Sequence, residues 1–120
     1  MAFIDTRERP AGEVQQKVGR LKLSEAIRRG AEQTAATKDI GIKAWVTWRR
    51  GGCFSCVIGA AWIGFNGLDQ QKYYHEGSII KSVMRLAGIS YEEYSGLQHA
   101  YEHGGLSREE IADMLAAQGL

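Results

Sequence analysis

Apolar residues recur along this chain with two different periods. From Leu21 to Lys38 they fall three and four apart, with Ala26, Ile27, Ala31 and Ala35 behind Leu21 and Leu23. This spacing predicts a helix from Glu25 to about Lys38, with Ser24 as its N-cap. From Ile42 to Arg49 the period becomes two: Ile42, Ala44, Val46 and Trp48 lie on one face, and Lys43, Trp45, Thr47 and Arg49 on the other. That is a strand, and Gly51-Gly52 supplies a hairpin turn through which Cys53 to Ser55 pairs back. Cys56 to Phe65 is apolar on every side and rich in small residues, the pattern of a buried central helix that permits close backbone approach. Asn66-Gly67 ends it, and a polar loop with Tyr73, Tyr74 and His75 follows.

The last third reads as three short helices. Ser78 caps the first, whose apolar face is Ile79, Ile80, Val83, Met84 and Ala87, with Gly88 past its end. Ser90 with Glu93 and Ser107 with Glu110 each form a capping box for the next two. One runs to His103; the other buries Ile111, Met114 and Leu115, with Leu106 stapled onto Ile111. Residues 1–20 hold the only proline and no sustained period, so they read as an N-terminal arm before one globular domain over 21–120. The expected fold is mainly α with a small β-hairpin, a compact single domain around the buried helix.

Composition narrows the class. With 120 residues, 44% hydrophobic and 24% charged, the chain has the profile of one globular domain. Its longest apolar run, Cys53 to Phe65, is 13 residues, short of the roughly 20 of a membrane-spanning helix. Charge in the first nine residues does not fit a signal peptide, so a cytoplasmic location is expected. Net charge is +1, but residues 1–50 carry 11 Lys and Arg against 6 Asp and Glu, while residues 51–120 carry 4 against 8. The halves are therefore of opposite sign, +5 and −4.

Three segments, LSEAIRRGA from Leu23, CVIGAA from Cys56 and LSREEIADML from Leu106, occur here in order. Together they resemble short uncharacterised proteins of phages and prophage-bearing bacteria. The resemblance implies a phage-type accessory protein in a bacterial host cell and carries no catalytic residue.

Candidate chemistry is sparse. No Walker loop, dinucleotide fingerprint or nucleophile elbow is present, and no enzyme activity is expected. His99-Ala100-Tyr101-Glu102-His103 spells the H-x-x-E-H order of inverted zinc peptidases, which also need a further ligand and a substrate cleft. Cys53 and Cys56 with His99 and His103 would complete a tetrahedral zinc set if the fold joined the pairs. Against that, Tyr94, Leu97 and Tyr101 facing the core would turn both histidines outward. Ile80 to Tyr101 has a helix-turn-helix outline, but Tyr91-Glu92-Glu93 places carboxylates where phosphates would lie. Two binding readings remain. Trp45, Arg49, Arg50, Tyr73, Tyr74 and His75 are residue types that dominate protein interfaces, which fits an inhibitor of a bacterial defence system or host enzyme, as anti-CRISPR proteins are. Alternatively Lys43, Trp45, Arg49 and Arg50 form a basic and aromatic platform for nucleic acid. Neither binding reading requires a cofactor.

Overall fold

The computed structural model describes residues 21–37, 46–49, 52–68 and 76–120. Among them are five helices and three strands: α1 (Leu23–Gln33), β1 (Ala35–Ala36), β2 (Val46–Arg49), β3 (Gly52–Ser55), α2 (Val57–Asn66), α3 (Glu76–Ala87), α4 (Tyr91–Glu102) and α5 (Arg108–Ala117). The fold is thus mainly helical with a small sheet. The proposed N-terminal arm, residues 1–20, lies outside the described residues. No helix among the described residues is long and apolar enough to cross a membrane.

The α2 helix is the centre, as its uniformly apolar sequence predicts. Every residue from Val57 to Ile63 is buried, and Trp62 is among the largest side chains sealed in the core. All four other helices pack against it, α1 most extensively. Cys56 caps it, its Sγ accepting from Gly59 N–H at 3.4 Å.

The α1–α2 contact is made by backbone rather than by side chains. A Cβ on Gly30 would sit 1.7 Å from Ala60 O, and one on Gly64 would sit 1.9 Å from Ala26 O. Ala26 and Gly30 are four apart, as are Ala60 and Gly64, so each pair lies on one helix face. Gly30 meets Ala60 while Ala26 meets Gly64, so the two helices run antiparallel. Glycine in mid-helix costs up to about 1 kcal/mol in propensity, and here the close approach requires it.

Both capping boxes form. Ser90 Oγ accepts from Glu93 N–H, and Ser107 Oγ from Glu110 N–H, with each glutamate accepting in return from the N-cap N–H. The α3 helix closes at Gly88 (φ 69°), where Ile89 N–H reaches back to Met84 O. It begins at Glu76, two residues before the expected Ser78 cap. Leu106 packs partly buried against the core containing Ile111. The α3 and α4 helices both pack on α2 and make little contact with each other, unlike the two helices of a DNA-reading pair.

The start and end of α1 differ from expectation. Lys22, not Ser24, is its N-cap, with Lys22 N–H donating to Glu25 Oε1 at 3.0 Å. Ser24 is buried one residue inside the helix, where its N–H and Oγ both donate to the Leu120 main-chain oxygen, at 3.1 and 3.0 Å. A donor of the first turn that lacks an intrahelical acceptor thus fastens Leu120, just beyond the last helix. The helix stops at Gln33 rather than near Lys38. Thr34 is extended (φ −137°, ψ 151°), and Ala35–Ala36 pair in parallel with Phe54–Ser55.

The hairpin also shifts by one residue. Arg49 pairs with Gly52, so Gly52 belongs to β3 rather than to the turn. Sheet order is β1-β3-β2, with β2 antiparallel to β3. The chain segment between the paired residues, Arg50-Gly51, lies outside the described residues.

Gly30→Ala and Gly64→Ala are each expected to destabilise the protein by about 3 kcal/mol or more, because backbone rather than a movable side chain blocks the new methyl. Gly96→Ala, on an exposed face of α4 with nothing within 4 Å, should instead stabilise by up to about 1 kcal/mol. Urea unfolding of the three variants checks the contrast.

Candidate functional site

A buried polar cluster forms where α1 ends, β3 meets α2, and α4 and α5 converge. Its centre is Arg108, the first residue of α5 and only 4% exposed. Nη1 donates to Thr34 Oγ1 at 2.9 Å and to Ser55 Oγ at 3.0 Å; Nη2 donates to Thr34 O at 2.9 Å and to Ala31 O at 3.5 Å. Four of the five guanidinium N–H groups are thereby placed, and Nε has no partner among the described residues. Thr34 Oγ1 gives its one proton to Gly30 O at 2.7 Å, so at the 2.8 Å contact between the hydroxyls Ser55 is the donor.

The acceptors explain how a guanidinium is tolerated there. Gly30, Ala31 and Thr34 carry the last carbonyls of α1, the negative end of its dipole, and α1 has no basic residue in its own last turn. Arg108 supplies that charge from 74 positions away. The one carboxylate within 4 Å among the described residues, Glu109 Oε1 at 3.9 Å, belongs to an exposed side chain.

Tyr101 extends the cluster. It is fully buried, and its hydroxyl donates to Thr37 O at 2.8 Å, pinning the chain just beyond β1. Burial pushes its phenol up to about 12, opposed by the positive charge of Arg108 and reinforced by Cys56. Cys56 is itself fully buried. The guanidinium and the two hydroxyls form one hydrogen-bonded network, and Thr37, which accepts from Tyr101 and donates its N–H to Ser55 O at 3.2 Å, joins the phenol to it, so that α1, β3, α4 and α5 are tied together.

The expected metal ligands divide between inside and outside. His99 and His103 stand together on the exposed side of α4, ring centres 5.1 Å apart. Tyr101, between them in sequence, turns inward toward Cys56. Positions 99 and 103 are each two residues from 101, roughly 200° around the helix, so Cys56 is on the opposite side from the histidine pair. Of Cys53 only the backbone, in β3, is described. Among the described residues no group of three or more His, Cys, Asp and Glu side chains is arranged to hold a metal ion. Beside the histidines, burial pushes the Glu102 carboxyl above its ordinary range, opposed by the Gln98 hydrogen bond and by both imidazoles.

Of the expected binding residues, Arg49 is placed by its backbone at the end of β2. Lys43, Trp45, Arg50, Tyr73, Tyr74 and His75 lie outside the described residues. Arg108, Thr34 and Ser55 were not among the expected site residues. One signal was available: an arginine at the first helical position, where the dipole disfavours a cation unless it is held by something else.

Comparison with protein-family models, with characterised proteins and with solved structures finds no match.

Arg108→Lys keeps the charge but loses the planar fork, and should destabilise by about 2 kcal/mol, read by urea unfolding. Tyr101→Phe should cost about 1 kcal/mol near neutral pH through the lost hydrogen bond. The raised folded-state pKa of Tyr101 makes its contribution complete below about pH 10, the unfolded value, and lost as pH rises toward 12. Stability of the wild type should therefore fall more steeply than that of Tyr101→Phe across this window; parallel pH profiles would refute it.

Proposed function

We propose that this chain is a small protein-binding domain whose recognition surface is built on the β2–β3 hairpin and the Tyr73–His75 segment. The observation that carries the reading is the strand order β1-β3-β2, which leaves β2 at the edge of the sheet. An edge strand offers main-chain donors and acceptors that have no strand partner among the described residues, the feature used when a partner's strand adds to a sheet. Trp45, Arg49 and Arg50 sit in or beside β2 in sequence, and Tyr73, Tyr74 and His75 add aromatic area. Tyrosine, tryptophan and arginine are the residue types on which interface energy concentrates.

The interior supports the same reading. Cys56, Ser55, Thr34, Tyr101 and Arg108 are all buried, and the cluster's hydrogen bonds join secondary-structure elements. Recognition then belongs to the periphery, carried by a scaffold whose polar chemistry is structural. With the resemblance to short phage proteins, the role that fits is an accessory one in a bacterial cytoplasm: blocking a defence system or a host enzyme.

The test is affinity capture of the tagged full chain from bacterial lysate, split into nuclease-treated and untreated halves. One specific protein is expected in both halves, and Trp45→Ala and Tyr74→Ala should each weaken its capture at least about tenfold while leaving the melting temperature unchanged. Capture of nucleic acid alone, with steep salt dependence, would overturn the reading in favour of the Lys43, Trp45, Arg49 and Arg50 platform.

A further inference from the structure

His99 of α4 and His103, the residue that caps its C-terminal end, carry a second inference, independent of the hairpin surface. We infer that His99 and His103 form a two-imidazole site for a divalent transition-metal ion of the zinc class, supported by the Glu102 carboxylate. Their spacing of four places both on one helix face, and both are exposed, His103 with 60% of its side chain accessible. Two Zn–N bonds of about 2.0–2.1 Å at a tetrahedral angle place the imidazole centres about 5 Å apart. The observed separation is 5.1 Å.

The surroundings suit a cation. Glu102, only 6% exposed, holds Oε2 3.9 Å from His103 Nε2. Its Oε1 accepts from Gln98 Nε2 at 3.0 Å, which fixes the carboxylate's direction. Drawn to hydrogen-bond distance, this pair would form the carboxylate–histidine–metal arrangement that orients a ligand and raises its basicity. The pair also lies at the C-terminal end of α4, where the carbonyl end of the helix favours positive charge. Nitrogen donors select zinc-class ions over Mg²⁺ and Ca²⁺. Two protein ligands leave two positions for water or another donor, and the Cys56 thiol takes no part, because it is sealed in the core.

Calorimetric titration of the full chain with ZnCl₂ and with MgCl₂ tests the site, with circular dichroism confirming that each variant is folded. The expected result is saturable zinc binding, no magnesium binding, loss of zinc binding in both His99→Ala and His103→Ala, and about tenfold weakening in Glu102→Gln. Cys53→Ser should bind as the wild type does, and the Co²⁺ form should lack a thiolate charge-transfer band. Absence of zinc binding, its survival in His99→Ala or His103→Ala, its loss in Cys53→Ser, or a thiolate band would each overturn the proposal.

Discussion

The buried guanidinium of Arg108 takes its counter-charge from the carbonyl end of α1, and the ends of four elements are fixed by that arrangement. Arginine stays protonated at any pH the fold meets, so its burial is tolerable only where acceptors are already aimed at it. Thr34 provides two of them by leaving the helical conformation, which ends α1 and starts β1. Ser55 provides another from the last position of β3, immediately before the Cys56 cap of α2. Because Arg108 is also the first residue of α5, the orientation of that helix is set by the same group. The exposed Arg28–Asp113 pair, 2.7 Å between α1 and α5, reinforces the contact by at most about 1 kcal/mol.

The second constraint is the backbone contact of α1 with α2. It brings the axes closer than larger side chains would allow and aligns α1 antiparallel along the central helix. The C-terminal end of α1 is thereby placed where Arg108 can reach it. Polar cluster and glycine contact thus act in series, the second locating the helix end that the first neutralises.

Local chemistry made much of this legible. The capping boxes at Ser90 and Ser107, the glycine stop at Gly88 and the all-round apolar α2 are short-range signals, and the structure contains each of them. The failures share one cause. Ala35 and Ala36 are among the strongest helix formers, yet they form β1 because Thr34, Ser55 and Arg108 meet in space. Ser24 has the chemistry of an N-cap but is buried against Leu120, a partner 96 positions away. Gly30, a weakness by propensity, is a necessity once Ala60 lies opposite it. In each case a tertiary contact overrides a correct local preference. In the site, the outward turn of the histidines followed from helical periodicity alone, whereas the role of Arg108 depended on three distant segments.

Scaffold and proposed surface therefore separate: buried polar groups hold the ends of elements together, and the recognition proposed for this chain falls to the edge strand β2. The most direct test of that separation is a double-mutant cycle on Arg108→Met and Ser55→Ala, measured by urea unfolding. A network in which the guanidinium and the hydroxyl act as one unit predicts a coupling above about 1 kcal/mol, whereas effects that add to within about 0.5 kcal/mol would contradict it.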